Sequence, residues 1–482
     1  MKILNHSRSG PDGTSGPGST GSASAGPGIA GPASTSPAST DQRLSISISG
    51  LPMAGSFSKK RPTVRIVTFI LGLLIMLTAI ATEAPAGTGS GELVVRPQGP
   101  VASIAEAIEL AEPGTTIRIM AGTYFERELV VSKKLTITGE GHPVIDAQNE
   151  GFILKVLADS VQINGMEFRN TGISYTRDHA AILVEEANGV TIDSNRFTDN
   201  FFAVYLATVR GAKVTNNHIT ASGTREASSG NGIHMWSTWD VEVTGNTING
   251  HRDGIYLEFA KGAHIFDNTS SGNLRYGLHF MFSDDSHYHN NTFSDNGAGV
   301  AVMYSKNVKM TGNRFAENWG PAAYGLLLKD ISESEISGNL FRDNTIAIHS
   351  EGSNRIAVKN NRIIHNGWGV KVMANSQNNV FSSNNFIENT FDVATNSRRN
   401  YNTFEGNYWS RYDGYDLDRS GIGDVPHRPV RLYSLIVEQN PASLILIRGF
   451  FIDLLDLAER IMPTLTPETL IDEKPLMKEV NL

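Results

Sequence analysis

A small group of methionine and histidine residues recurs at a spacing that places the side chains on one surface. His279 and Met281 are two residues apart, Met303 follows Met281 by 22 residues, and Glu258 precedes Met281 by 23 residues. In an earlier segment, His234 occupies the position equivalent to that of His279. Thioether and imidazole groups are ligands that suit Cu(I). The pattern therefore predicts a copper site on this surface.

The same surface supports a second interpretation, which stays open beside the first. Methionine and aromatic side chains are also favoured where proteins dock on one another. Trp236 and Tyr256 lie in the same two columns of residues as the proposed copper ligands. These two residues therefore predict a partner-docking patch.

A second group of potential ligands lies near the C-terminus, where several oxygen-bearing side chains are closely spaced. Their spacing resembles that of a calcium loop, with glycine at the sharp turn. A serine occupies one ligand position, however, and no glutamate closes a twelve-residue loop. A calcium site and a rigid turn built on aspartate side chains both remain open. The residues are Asp413, Asp416, Asp418, Ser420 and Asp424.

A catalytic alternative rests on the segment Asp284-Asp285-Ser-His287. Parallel β-helices often cleave or epimerise acidic polysaccharides, and such a site needs a proton-abstracting base and groups that neutralise the sugar carboxylate. The aligned strands offer no Arg or Lys beside this segment, and the inserted loops are short. We therefore expect a non-enzymatic protein and keep a lyase, an epimerase or a carbohydrate-binding protein as the alternative.

The elements that position these residues follow from a repeat between Gly189 and Trp409. A short run of alternating apolar residues is followed by Asn, any residue, and usually Phe or Ile, mostly at intervals close to 22 residues. Each unit is too rich in Gly, Asn and Ser for helices. The asparagines in this phrase are Asn195, Asn217, Asn246, Asn268, Asn291, Asn313, Asn339, Asn361, Asn385 and Asn407.

These properties predict an all-β fold, a right-handed parallel β-helix over residues 93–409. Coils stacked about 4.8 Å apart would place equivalent residues above one another, so that inward asparagines can bond in a ladder. The stretch from Leu135 to Trp409 has room for roughly twelve coils at the repeat length.

One strand of each coil is led by glycine, or by Thr345 in one coil, and its second and fourth following residues point outward. The first outward column is His234, Tyr256, His279, Ala301, Leu327, Ala347 and Lys371, and the second is Trp236, Glu258, Met281, Met303, Lys329, His349 and Met373. His264, His287 and His289 are expected in turns, as surface histidines.

Both ends of the β-helix carry segments that break the repeat. Ser103-Ile-Ala-Glu106 is a capping box and predicts a short helix that covers the N-terminal end. Residues 410–440 form an Asp/Gly-rich module, and residues 441–482 an amphipathic helix, breakable at Gly449, with an extended tail. We expect this helix to bind a partner rather than to fold onto the last coil. Its partner-binding residues are Phe450, Phe451, Leu454, Leu455, Leu457 and Ile461.

Composition limits the remaining possibilities. The chain has 482 residues, a net charge of −8 and no cysteine, which argues against a nucleic-acid partner and excludes thiolate metal sites. Residues 1–52 are low in large apolar groups and predict a disordered leader, which is not translated if Met53 is the true start. Residues 53–86 follow the order of a signal peptide, so we expect export.

Taken together, the repeat and the C-terminal motifs resemble the NosD family from about residue 93 to the end. The resemblance implies a periplasmic accessory protein docked on the permease and ATPase of an ABC-type complex at the inner membrane. It implies a role in supplying copper or sulfur to the copper–sulfide centre of nitrous oxide reductase, with that enzyme and a copper chaperone as further partners. The motifs are Gly406-Asn-Tyr-Trp-Ser410, Asp413-Gly-Tyr-Asp-Leu-Asp418, Gly421-Ile-Gly-Asp-Val-Pro426, Leu454-Leu-Asp-Leu-Ala-Glu-Arg460 and Asp472-Glu-Lys-Pro-Leu-Met477.

Overall fold

A computed structural model describes residues 91–481, except residues 175, 398, 448 and 463–469. The leader predicted over residues 1–52 and the signal peptide predicted over residues 53–86 lie outside the described residues. The described chain is a parallel β-helix of about 14 turns, which confirms the predicted fold class. The prediction of about twelve coils counted from Leu135, whereas the first strand begins at Glu92.

Three parallel sheets run along the β-helix, and each complete coil from β2 to β37 contributes one strand to each sheet. Sheet A has 14 strands. They are β1 (Glu92–Val95), β2 (Thr116–Met120), β5 (Thr136–Glu140), β8 (Gln162–Asn164), β11 (Thr191–Asp193), β14 (Lys213–Thr215), β17 (Glu242–Thr244), β20 (His264–Phe266), β23 (His287–His289), β26 (Lys309–Thr311), β29 (Glu335–Ser337), β32 (Ala357–Lys359), β35 (Val380–Ser382) and β38 (Thr403–Glu405).

Sheets B and C have 13 and 12 strands. Sheet B consists of β3 (Thr123–Tyr124), β6 (Val144–Asp146), β9 (Glu167–Arg169), β12 (Arg196–Thr198), β15 (His218–Thr220), β18 (Thr247–Asn249), β21 (Thr269–Ser271), β24 (Thr292–Ser294), β27 (Arg314–Ala316), β30 (Leu340–Arg342), β33 (Arg362–Ile364), β36 (Asn385–Ile387) and β39 (Tyr408–Trp409). Sheet C consists of β4 (Leu129–Val131), β7 (Leu154–Val156), β10 (Ala180–Glu185), β13 (Phe202–Ala207), β16 (Ile233–Trp236), β19 (Asp253–Glu258), β22 (Tyr276–Met281), β25 (Ala298–Met303), β28 (Tyr324–Lys329), β31 (Ile346–Glu351), β34 (Trp368–Val372) and β37 (Phe391–Ala394).

The core lies inside the coil and is built from like residues stacked in register. Phe315 and Phe341 are register partners in sheet B, and their rings stack with centroids 4.5 Å apart. Phe381 and Phe404 repeat the arrangement in sheet A at 4.5 Å. Because each sheet is parallel, one residue type can occupy the same inward position in successive coils.

The inward asparagines form the predicted ladder, with one correction. Asn291 donates from its Nδ2 to the Oδ1 of Asn313 at 3.0 Å, and the same bond links most neighbouring members of the series. The member after Asn361 is Asn384, whose Oδ1 accepts from the Asn361 Nδ2 at 2.9 Å. The prediction of Asn385 was wrong, because the side chain of Asn385 alternates to the other face of the strand.

A second asparagine ladder was missed by the sequence argument. Asn273 donates to Asn296 at 2.9 Å, and Asn344 donates to Asn366 at 3.0 Å. The series precedes the strands of sheet C, and its members lie five residues after those of the first ladder. Its members are Asn273, Asn296, Asn318, Asn344, Asn366 and Asn389.

The N-terminal helix α1 (Ile104–Leu110) packs its buried residues Ile104, Ala107 and Ile108 against the first coils. The Ser103 hydroxyl accepts a hydrogen bond from the Glu106 backbone N–H at 3.1 Å, as half of a capping box requires. The carboxylate of Glu126 accepts the next two free N–H groups, those of Ile104 and Ala105. Glu126 therefore completes the cap of this helix.

The C-terminal helices begin earlier than predicted, inside the 410–440 module. Helix α2 (Leu432–Gln439) is followed by a 3-10 turn (Pro441–Leu446) and helix α3 (Phe450–Ile461), with Gly449 as the N-cap of α3. Tyr433, Val437 and Ile452 form a buried cluster with Phe391 of the last strand of sheet C. Helix α2 was not predicted, and the expectation that the helix after residue 441 is separate from the last coil was wrong for the inner face of α3.

The predicted extended tail also folds back onto the β-helix. Asp472 is completely buried, and its carboxylate accepts hydrogen bonds from the N–H groups of Gly406 and Asn407 and from the side chains of Asn407 and Trp409. Further along, the side chain of Asn385 exchanges two hydrogen bonds of 2.9 Å with the backbone of Val480. Asp472 thus ends the first asparagine ladder.

Candidate functional site

The outer face of sheet C carries the predicted copper and docking residues. Met281 and Met303 are register partners on adjacent strands, and Glu258 is the partner of Met281 on the other side. The glycine that leads each strand is required by the close stacking. A Cβ built on Gly299 would lie 2.5 Å from the carbonyl oxygen of Gly325 on the next coil.

The predicted columns need one correction, in the coil that was aligned on Thr345. His349 pairs with Leu327 and Lys371, so it belongs to the first column, and Glu351 pairs with Lys329 in the second. The strand is led by Ala347, a buried residue in the place of the usual glycine. A shift of two residues keeps the same face outward, so the alternating pattern alone could not reveal the error.

His279 faces outward from the coil but is covered by its neighbours. It is 5% exposed and packs against the rings of Tyr256 and Tyr276, with centroids 5.0 and 4.7 Å away. Its Nδ1 lies 3.5 Å from an oxygen of Asp253 and 3.4 Å from the Arg275 guanidinium. This imidazole is therefore part of a buried polar network.

Asp253 is the centre of that network. The carboxylate is completely buried and forms an ion pair with Arg275, whose Nε lies 2.8 Å away. Burial acts to raise the pKa of Asp253, but hydrogen bonds from Arg275 and His279 outweigh it and lower the pKa. A charged carboxylate is therefore held beneath the surface beside the His279 ring.

His234 lies two coils away from His279 in the same column. Its ring is sandwiched between Tyr205 and Tyr256, with centroids 4.4 and 4.8 Å away, and its Nδ1 lies 3.0 Å from the Asn231 Nδ2. Burial is the main cause that lowers the pKa of His234 to about 3. The ring is therefore neutral at pH 7, and Tyr256 separates it from His279.

The five predicted copper ligands are not brought together as one coordination sphere. Met281 and Met303 are neighbours, and both are half-buried at the surface. His234 and His279 lie in the other column beneath aromatic rings, and Glu258 adjoins Met281. The structure thus brings together two thioethers, with the Glu258 carboxylate beside Met281. His279 becomes a third ligand only if its side chain changes conformation.

A strip of exposed aromatic residues beside these methionines was missed by the sequence argument. The rings of Phe259, Phe282 and Tyr304 stack in succession at 5.4 and 5.0 Å and are 52%, 44% and 41% exposed. Each follows the last residue of a sheet C strand and has a positive φ of 50–54°. A left-handed backbone is unfavourable for a bulky residue. With Trp236, 41% exposed, these residues form the aromatic strip.

The candidate calcium ligands use their oxygens within their own loop. The carboxylate of Asp416 accepts from the N–H groups of Ser420 and Gly421 at 3.1 and 2.8 Å, and Asp418 accepts from Ser420 at 2.9 Å. Asp424 accepts from the Leu417 N–H at 2.7 Å. These bonds are those of a rigid turn built on aspartate side chains. Asp413 has a partner of its own.

Across the described part of the chain, no group of three or more His, Asp or Glu side chains is arranged to hold a metal ion. That finding covers the four aspartates among the candidate calcium ligands, which are not grouped to hold a metal ion. Thioethers are not among these side chains, so the finding says nothing about metal binding by Met281 and Met303.

The candidate catalytic segment is likewise engaged in turn contacts. Asp284 accepts from the Lys306 N–H at 3.0 Å, and Asp285 lies 3.2 Å from the Lys261 ammonium. Lys261 lies in the turn after strand β19, so the segment has a basic neighbour that the alignment of the strands did not include. His287 lies in strand β23 on the outer face of sheet A, and its Nε2 is 2.8 Å from the Thr311 hydroxyl. His287 is thus held by a residue outside the segment.

One polar cleft of about 300 Å³ lies beside loops that precede the strands of sheet C. Asp199, Asn200, Phe201 and His251 are among its lining residues. Burial lowers the pKa of His251 to about 4, so the ring is neutral at pH 7. No Lys or Arg is among the described residues that line the cleft. The cleft therefore lacks the positive charge that an acidic sugar would require.

The outer face of helix α3 is apolar and exposed. Phe450 is 80% exposed and Ile461 71%, whereas Ile452 on the opposite face is buried. Leu455 packs partly against the buried cluster around Tyr433, so it contributes less to the outer face than predicted. None of the helices in the described part of the chain has the length and apolar character needed to cross a membrane. The other exposed residues of this face are Phe451, Leu454 and Leu457.

Comparison with known proteins gives matches at the level of family and of fold. Residues 215–414 match the family model described as "Periplasmic copper-binding protein (NosD)". Two relatives, from Stutzerimonas stutzeri and Pseudomonas aeruginosa, are each named "Probable ABC transporter binding protein NosD". They are 28% and 29% identical over 381 residues, covering 75% of this chain and 86% and 87% of theirs.

Among solved structures, the A-module of the Azotobacter vinelandii mannuronan C-5 epimerase AlgE4 is similar in fold. The sequence identity is 16% and the TM-score is 0.42, over 61% of this chain and 86% of that module. A likeness at this level carries no argument about function.

Proposed function

Because the chain belongs to the NosD family, we propose that it is a non-enzymatic periplasmic accessory subunit of an ABC-type transport complex. In this role it docks on the permease and ATPase at the inner membrane and assists delivery of copper, or of a sulfur species, to the copper–sulfide centre of nitrous oxide reductase. The family description and the names of the two relatives support the copper and transporter parts of the proposal.

The observation that carries the copper part is the pairing of Met281 and Met303 on adjacent strands of sheet C. Their backbones are register partners, so their strands lie about 4.8 Å apart and the two side chains are neighbours on the outer face. A neighbouring pair of thioethers suits Cu(I), a soft ion. His279 is two residues from Met281 on the same strand and is the nearest imidazole that could add a third ligand.

Copper is the cargo in this proposal, so the site has to release the ion as well as bind it. Both methionines are only half-buried, which leaves a partner protein access to the bound ion. Glu258 beside Met281 adds negative charge near the cation. A methionine pair on an open surface therefore fits transfer of copper between proteins better than permanent storage.

The triple variant His279→Ala, Met281→Ala, Met303→Ala tests the copper site. We expect it to lose the Cu(I) that the unchanged protein binds, because both paired thioethers and the nearest imidazole are removed. The stoichiometry of Cu(I) is measured by competition with a chromogenic chelator under anaerobic conditions. A matched control is Met373→Ala, which removes a methionine that follows sheet C strand β34. Wild-type stoichiometry in the triple variant would show that the face is not the copper site.

Two surfaces support the docking part of the proposal. The aromatic strip adjoins the two methionines, and three of its residues, Phe259, Phe282 and Tyr304, have a backbone conformation that is costly for aromatic residues. The outer face of helix α3 exposes a second apolar surface at the end of the β-helix. Apolar surfaces of this kind mark contacts with other proteins. We assign the aromatic strip and Tyr256 to the copper-exchanging partners and the face of α3 to the membrane complex.

A further inference from the structure

Three histidines that the sequence argument placed in turns lie together on two adjacent strands of sheet A. His264 on β20 and His287 on β23 are register partners, and His289 lies two residues after His287 on the same strand. The ring centroids of His287 and His289 are 4.6 Å apart. The cluster faces outward, since His264 is exposed and the other two are half-buried.

Neighbouring residues hold both rings of the closer pair in place. The Nε2 of His287 is 2.8 Å from the Thr311 hydroxyl on the next coil, and the ring of His289 stacks on Phe266 with centroids 5.0 Å apart. When the Nε2 of His287 carries the ring proton, it donates a hydrogen bond to the Thr311 hydroxyl oxygen. The lone pair of Nδ1 is then available to a ligand. A hydrogen bond that fixes the other ring nitrogen in this way is typical of metal-binding histidines.

We propose that His287 and His289 form a two-imidazole site for a divalent first-row transition metal, with water completing the coordination. Among these ions Cu²⁺ is bound most tightly by nitrogen ligands. In the described residues no three nitrogen or carboxylate ligands converge, so His264 is a neighbour of the site and not a ligand.

This site goes beyond the proposed function and does not depend on it. The methionine pair lies on sheet C and offers sulfur to Cu(I), whereas the histidine pair lies on sheet A and offers nitrogen to Cu²⁺. Each site can therefore fail its own test without affecting the other. If both bind, one chain would hold copper in either oxidation state at separate places.

Titration of the protein with CuCl₂, followed by electron paramagnetic resonance, tests the proposal. We expect one Cu²⁺ per chain with splitting from two nitrogens, and loss of that signal in the double variant His287→Gln, His289→Gln. The variants His264→Ala and His218→Ala are expected to keep it, His218 being an exposed histidine of sheet B. Circular dichroism checks that each variant is folded.

Two results would overturn the proposal. The first is an unchanged Cu²⁺ signal in the folded double variant. The second is an equal loss in His218→Ala or His264→Ala, which would mean that Cu²⁺ binds to surface histidines in general or to a different set of ligands. A titration with ZnCl₂, read by calorimetry, serves as a second measurement and is expected to show weaker binding at the same residues.

Discussion

Replacing Asp472 with Ala is expected to loosen the C-terminal end of the β-helix by about 3–5 kcal/mol, since each buried polar group left unpaired costs about 1–3 kcal/mol. The buried carboxylate accepts hydrogen bonds from the N–H groups of Gly406 and Asn407 and from the Asn407 and Trp409 side chains. The two backbone N–H groups and the Trp409 indole N–H would be left without a partner, whereas the Asn407 Nδ2 keeps its hydrogen bond to the Phe381 carbonyl. The change is measured as the free energy of local opening at the Asn384 amide by native-state hydrogen exchange.

The matched control for this prediction is Glu473→Ala. Glu473 is the next residue in the chain and is exposed, so its removal is expected to change the opening free energy by about 0.5 kcal/mol or less. If Asp472→Ala leaves the exchange of the last coil as slow as Glu473→Ala does, Asp472 is not the cap of the ladder.

Replacing Asn291 with Leu is expected to destabilise the middle of the β-helix by about 3–5 kcal/mol, since each buried polar group left unpaired costs about 1–3 kcal/mol. Leucine fills a similar volume but removes the donor to the carbonyl oxygens of Ile265 and His289 and to Asn313. It also removes the acceptor for the backbone N–H of Asn268. The measurement is the shift of the urea unfolding midpoint, converted with the slope of the transition.

Asn249→Ala is the control for the ladder variant. Asn249 is exposed on a strand of sheet B, and its side chain makes a hydrogen bond of 3.0 Å to the Ser271 carbonyl. Water can replace that bond, so we expect a loss of about 1 kcal/mol or less. Equal midpoints for the two variants would contradict the claim that the asparagine ladder is a main source of stability.

The repeat made the fold predictable, because a period near 22 residues with inward Asn and outward alternation fits few structures other than a stacked coil. The pairing of Met281 with Met303 followed from the same alignment and is confirmed. Where two asparagines are adjacent, the repeat does not show which of them points inward. Asn384 and Asn385 are adjacent asparagines, and only the register of the coil shows that Asn384 belongs to the ladder.

The position of Asp472 could not be predicted from the local sequence. Aspartate is rarely buried without a partner, so the segment from Asp472 to Lys474 was interpreted as part of an exposed tail. Its partners are more than sixty residues away in the chain, at Gly406, Asn407 and Trp409. A contact at that separation depends on how the helices turn the chain back, which no repeat or propensity encodes.

The aromatic strip could have been found from the sequence. The equivalent turn position holds Ser237, Asp330 and Gly352 in other coils, and the latter two are residue types that readily adopt a left-handed backbone. Phe259, Phe282 and Tyr304 at that position contradict the local preference. Such a contradiction is a signal of function that an alignment of the whole turn would have shown.

The coverage of His234 and His279 could not have been found in the same way. Their outward direction follows from the two-residue period and is correct, but their burial depends on rings from Tyr205, Tyr256 and Tyr276. A side chain that points outward from a strand is not exposed when neighbouring aromatic rings cover it. For this reason the two imidazoles are less accessible than the two-residue period predicts.

Co-purification from membranes tests the central claim most directly. An affinity-tagged chain, expressed with its native transporter and extracted in mild detergent, is expected to bring down the permease and the ATPase. The variant Phe450→Ser, Leu454→Ser, Leu457→Ser changes only exposed side chains of helix α3 and is expected to lose both. The account is contradicted if the folded wild-type chain purifies without either transporter subunit. It is also contradicted if the variant recovers the permease and the ATPase in the same amounts as the wild-type chain.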